Sequence, residues 1–160
     1  MPPMLINTHQ LIDDDWVTLG DDQAVADGDS KIIVSLARLQ KDFEALRKQS
    51  AALAVKLEET TDVNDIAPFL NDLQMIVLQF KVFTDGRAYS QAKLLRQRYA
   101  YQGQIRAVGA VTCDQLSFMQ RCGFSQFQLA ESEDIGLALN AFNEFSAAYQ
   151  PELEAAHQQS

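Results

Sequence analysis

The chain predicts an α/β fold: sequential βα units with a mainly parallel sheet, partial-barrel-like or a small open sheet, with short strands at the amino-terminal edge. Three observations carry this. Residues 52–57, 74–80, 104–109 and 125–129 are four strand-like segments rich in apolar side chains. The stretches between them are long enough for helices, which is the rhythm of βα repeats rather than of hairpins. Glycines, arginines and hydroxyls cluster from Phe83 to Leu129, where strands should hand over to helices.

Taken in order, the first thirty residues are acidic and loop-like, with turn signals at Asp13-Asp14-Asp15, Gly20-Asp21-Asp22 and Asp27-Gly28-Asp29-Ser30. They surround one apolar strip, Trp16 to Leu19, read as a peripheral strand. Lys31 to Val34 is a second short extended piece. Ser35 then caps a helix whose apolar stripe is Leu36, Leu39, Phe43 and Leu46. The strand at 74–80 is apolar from Met75 to Leu78 and should be buried on both faces, whereas 125–129 alternates and suits an edge. Pro68 makes the helix after the first repeat strand late or irregular near Asp65.

Asp85 can cap a helix through Tyr99 with an inner stripe of Ala88, Ala92, Leu95 and Tyr99, which leaves Lys93, Arg96 and Arg98 facing water. Thr112 and Gln115 have capping-box spacing, and Gly123 suits the left-handed turn that ends that helix. Ser132, Glu133 and Asp134 open the last helix, striped by Ile135, Leu139, Phe142, Phe145 and Tyr149. Pro151 starts a polar tail. The expected organisation is one domain over 1–160, with peripheral strand and loops at 1–30, βα repeats at 51–149 and the tail at 150–160.

Composition bounds the function. With 160 residues, 47% apolar and 22% charged, the chain is of a size and kind that buries a core without metals or disulfides. No run approaches the ~18 apolar residues of a membrane span, and Met1 to Asn7 lacks a secretory signal, so a cytoplasmic protein is expected. A net charge of −9 argues against nucleic acid and anionic lipid as partners. The charge is uneven, however: acids concentrate before residue 30 and after 130, while five Lys or Arg fall between 87 and 106 with no acid among them. Cys113 and Cys122 lack zinc or redox spacing and His9 and His157 lie near opposite ends, so no metal site is expected.

The sharpest candidate is Asp85-Gly86-Arg87-Ala88-Tyr89-Ser90, an anion cradle at a helix start. Gly86 permits close approach, Arg87 can grip an oxyanion through two parallel bonds, and Ser90 or Gln91 adds a neutral donor. The competing reading is a capped helix with Arg87 paired to Glu58, Glu59 or Glu131. Arg106, in a strand, is a further anion ligand. Arg121 at a helix end also complements the helix dipole, and Asp114 and Gln115 cap a first turn as readily as they act on a substrate. Cys122 stands away from any helix start that would activate it, and no Ser/His/Asp or Cys/His set can be assembled. No Gly-x-Gly-x-x-Gly follows a strand, so Rossmann-type nicotinamide binding is disfavoured and no cofactor is assigned. Because four parallel strands cannot close a barrel, the chain is expected to form a homodimer.

The motifs Phe83-x-Asp85-Gly86-Arg87-Ala88-Tyr89-Ser90-Gln91-Ala92-Lys93-Leu94-Leu95-Arg96, Arg106-Ala107-Val108-Gly109, Asp114-Gln115-Leu116 and Arg121-Cys122-Gly123-Phe124 resemble a bacterial family, domain of unknown function 934. The strong part spans about residues 74 to 130, with weaker similarity back to Trp16. The resemblance implies a gene encoded beside assimilatory sulfite reductase and related sulfate-reduction enzymes. On that footing the protein is an accessory that binds the reductase or another sulfate-assimilation protein, or holds a small anion. The alternative it implies is an oxidoreductase acting on a small anionic substrate, oriented by Arg87 and the Asp85 helix start, with Asp114 or Glu131 moving a proton. This chain departs from the family pattern at Ala110, usually an acid, and at Cys113, usually an arginine.

Overall fold

The computed structural model of the chain describes residues 4–24, 30–81, 86–130 and 133–149, with side chains as far as Phe142. Asp85, Glu131, the Ser132 cap, the side chains of Phe145 and Tyr149, and the tail from Pro151 lie outside these residues.

Among the described residues the expected strands form a single sheet together with one that the sequence did not predict, Leu5–Ile6. In chain order they are β1 (Leu5–Ile6), β2 (Trp16–Thr18), β3 (Lys31–Ser35), β4 (Ala52–Leu57), β5 (Met75–Phe80), β6 (Gln104–Gly109) and β7 (Gln126–Gln128). Their spatial order is β1-β7-β6-β5-β4-β3-β2, with β2 to β7 mutually parallel. Each successive parallel strand is thus laid beside the one before it, which curls the sheet into an open half-barrel. The helices are α1 (Leu36–Gln49), α2 (Arg87–Gln97), α3 (Leu116–Cys122) and α4 (Ile135–Tyr149).

Local chemistry explains most of the ends. Ser35 Oγ accepts from Arg38 N–H and starts α1, whose Leu39 and Leu46 are fully buried. With Pro68 inside it, the segment Val63–Asp72 winds as a 3-10 helix capped by Asp62. Gly123 takes φ +119 and lets Phe124 N–H reach the Met119 carbonyl, ending α3. The capping box at Thr112 does not form: its hydroxyl donates to Asp114 Oδ1 at 2.6 Å, because residues 113–115 make a 3-10 turn before α3 begins. Asp134 Oδ1 accepts from Leu137 N–H in the first turn of α4.

One expectation about the edges is corrected. β7 is not an edge strand, because β1 pairs with it antiparallel through Leu5↔Gln128 and Ile6↔Phe127. Asn7 Oδ1 then accepts from His9 and Gln10 N–H, turning the chain so that Leu11 bridges to Ile6 on the free side of β1 and Ile12 N–H bonds Leu5 O. Four residues further on, Trp16 pairs with Lys31 at the opposite end of the sheet. Four Cα steps reach about 15 Å at most, so the two ends of the sheet approach within about that distance. Residues 13–15 bridge the gap.

The sheet's two faces carry different residues, as strand alternation requires. Ile32, Val34, Leu53, Val55, Ile76, Leu78, Ile105 and Ala107 join the helices in the main core. Ile33, Ala54, Met75, Val77 and Val108 form a second, inner cluster with Trp16. β5 is buried on both faces from Met75 to Leu78, as its apolar run demands.

Candidate functional site

The inner face opens into a cavity of about 370 Å³. It lies toward the carboxyl ends of the parallel strands, where Lys56 of β4, Gln79 of β5, Val108 and Gly109 of β6 and Gln128 of β7 meet Thr18 of β2. That is the end of a parallel sheet at which βα architectures place ligands, and the size is that of a small-molecule site. Ile33 and Val77 supply apolar lining and Asp14 a carboxylate.

Arg106 is the central polar group. Strand alternation aims it inward, and it is only 3% exposed. Its Nε donates to Gln126 Oε1 at 3.0 Å and its Nη1 to Asp14 Oδ1 at 3.2 Å. Those two bonds use part of a five-donor fork and leave Nη2 without a hydrogen bond among the described residues. Lys56 adds a second cation. Among the lining residues, two cations therefore face one carboxylate, in a protein of net charge −9.

The residues named from the sequence are not all gathered here. Gly86 occupies the start of α2 in the left-handed region, φ +91, and Arg87 and Ser90 are exposed on that helix. Gln91 points the other way: it is buried, and its Nε2 donates to the carbonyls of Glu58 and Thr61, tying α2 to the loop after β4. Asp114 is exposed, Gln115 half-buried, and Arg121 stacks its guanidinium over the Phe118 ring at 5.5 Å. Arg106 alone of this set lines the inner cavity. Lys56, Gln79 and Gln128 were missed by sequence reasoning, yet each is a polar break at an alternate position near a strand's carboxyl end. That periodicity was the available signal.

Arg96 corrects another expectation. Instead of facing water it is half-buried and bonds three carbonyls, Gly123, Tyr101 and Gly103, at 2.8 to 3.0 Å. Burial lowers its pKa from the ordinary arginine value. Tyr89, by contrast, packs against the rings of Phe80, Phe118 and Phe124.

Ala110 and Cys113, read from the sequence as departures from the family pattern, do not line the cavity. Ala110 N–H bonds the Phe80 carbonyl, and Cys113 sits beside the start of α4, its N–H on Glu133 Oε1 and its thiol 3.7 Å from the Asp134 carbonyl. Burial, helped by the Glu133 carboxylate, pushes the Cys113 thiol from about 9 up to about 11. Such a thiol is inert at neutral pH. Because it ionises more readily unfolded than folded, its stabilisation holds below pH 9 and is lost as pH rises from 9 to 11. The Tyr101 phenol, pushed up by burial, acts in the same direction. Urea midpoints should therefore be flat from pH 7 to 8.5 and fall between 9 and 11; a midpoint that rises over that interval contradicts the assignment.

Among the described residues no cluster of three or more His, Cys, Asp or Glu could hold a metal ion, and no helix is long and apolar enough to cross a membrane. No curated protein matches the chain. A family model does: that of a bacterial protein of unknown function (DUF934), over residues 54–159, which takes in Lys56, Gln79, Arg106 and Gln128. With two thirds of its length matched and the cavity's strand residues inside the match, the chain belongs to this family.

Proposed function

We propose that the inner cavity binds a small oxyanion and that the protein acts as an accessory of assimilatory sulfate or sulfite reduction, through that anion or through a partner enzyme of the pathway. The observation that carries the anion site is Arg106, a cation removed from water inside the sheet with a donor still open toward a cavity that Lys56 shares. A buried guanidinium is costly unless it is paired, and a two-oxygen ligand completes its fork better than the single Asp14 contact. The pathway assignment rests on the family resemblance. An enzymatic reading would hand proton transfer to Asp14, the carboxylate that lines the cavity. That carboxylate accepts from both Arg106 and Trp16 N–H, which favours a binding role.

Calorimetric titration with sulfite and with sulfate tests the site. Arg106→Gln should weaken binding at least tenfold and Lys56→Gln severalfold, with the fold retained by circular dichroism. Unchanged affinity in Arg106→Gln would refute the assignment.

A further inference from the structure

Resting on the anion-site reading, we propose that Asp14 is a tethered competitor for Arg106, so that an oxyanion entering the cavity displaces it and loosens the 13–15 bridge between the two ends of the sheet. The geometry sets this up. Asp14 precedes β2 by two residues, yet its carboxylate reaches Arg106 on β6, four strands away in the order of the sheet. It lies in the lining of the cavity and offers Arg106 one oxygen at 3.2 Å, a long contact for a charge-assisted bond. Its side chain remains 45% exposed while Arg106 is almost wholly buried, so the pair is easier to open from the Asp14 side.

Little else holds the bridge. Asp14 Oδ1 also accepts from Trp16 N–H at 3.2 Å, and Asp15 pairs with Lys31 on the surface at 2.9 Å, both partners well exposed. Exposed pairs contribute little. Of the three aspartates, Asp14 is the one joined to the buried cation. A sulfate or sulfite ion presents several oxygens and no tether, and it can satisfy Arg106 and Lys56 together. Binding of the anion and release of the bridge are then one equilibrium, and each opposes the unliganded, bridged state.

Trp16 is the only tryptophan of the chain and stands beside Asp14, which makes its fluorescence a direct readout. Sulfate is titrated at constant ionic strength into the wild type, Asp14→Asn, Arg106→Gln and Asp13→Asn; Asp13→Asn makes the same change of charge one residue away. Asp14→Asn should tighten sulfate binding about tenfold and Asp13→Asn less than twofold. Trp16 emission should shift on sulfate addition to the wild type and start near its shifted value in Asp14→Asn. Equal affinities in Asp14→Asn and Asp13→Asn, or a flat Trp16 signal while calorimetry records binding, overturn the competitor role. If Arg106→Gln then still abolishes binding, the anion site itself stands. No binding to any of the four proteins overturns both.

Discussion

Gly109→Ala should lower folding stability by about 3 kcal/mol, which for a domain of this size is a fall of about 10 °C in melting temperature. Gly109 closes β6 at φ +94, a conformation that costs an alanine about 1 to 2 kcal/mol by itself. The added Cβ would also collide with the backbone carbonyl oxygen of Phe80, on the neighbouring strand. That oxygen cannot swing away cheaply, because it accepts the Ala110 N–H at 2.9 Å and lies where β5 and β6 are still in register, Phe80↔Gly109. Strain and a disturbed strand end therefore add. Urea unfolding should show a lower midpoint with an unchanged slope, and a loss under 1 kcal/mol would mean that the loop relaxes freely.

The second large effect belongs to Arg96. Arg96→Ala removes four bonds to three carbonyls and should cost about 3 kcal/mol, the worth of one or two bonds from a charged donor at about 1.5 to 3 kcal/mol each, because the site is half-buried and water replaces the rest. Arg96 spans from the turn at Gly123 to the loop at Tyr101 and Gly103. A single ammonium cannot do both, so Arg96→Lys should recover less than half of the loss. Packing tightens the constraint: a Cβ at Gly123 would come within 2.5 Å of Arg96 Cγ. Full recovery by lysine would show that charge alone suffices.

These two positions also show what could be seen before the structure. Gly109 and Gly123 stand at the ends of periodic segments, so their roles follow from local rules. Arg96 lies off the apolar stripe of α2, and only the return of the chain at residues 101–103 and 123 turns it inward. The strands at 31–35, 52–57, 75–80, 104–109 and 126–128 were legible because each buries apolar residues on at least one face, and 16–18 because its apolar strip stands out between acidic turns. β1 was not: Leu5 and Ile6 are too few to show a period, and their partners lie far along the chain. Within the cavity, Arg106 was legible as a charge inside a strand. Asp14 looked like one member of an acidic turn, because its contact is made by tertiary closure and by nothing in its neighbourhood.

The pairing of β1 with β7 has a consequence for biosynthesis. Leu5 and Ile6 leave the ribosome before the other strands of the sheet, but the strand they pair with is made about 120 residues later. Until then the hairpin at 5–12 has no sheet to join, while β3 to β6 can assemble one after another as each helix appears. The last stave of the wall is thus the first one synthesised, held in waiting by the growing chain. Its docking waits for β7, so a chain truncated before residue 126 should leave its amino-terminal segment open to protease.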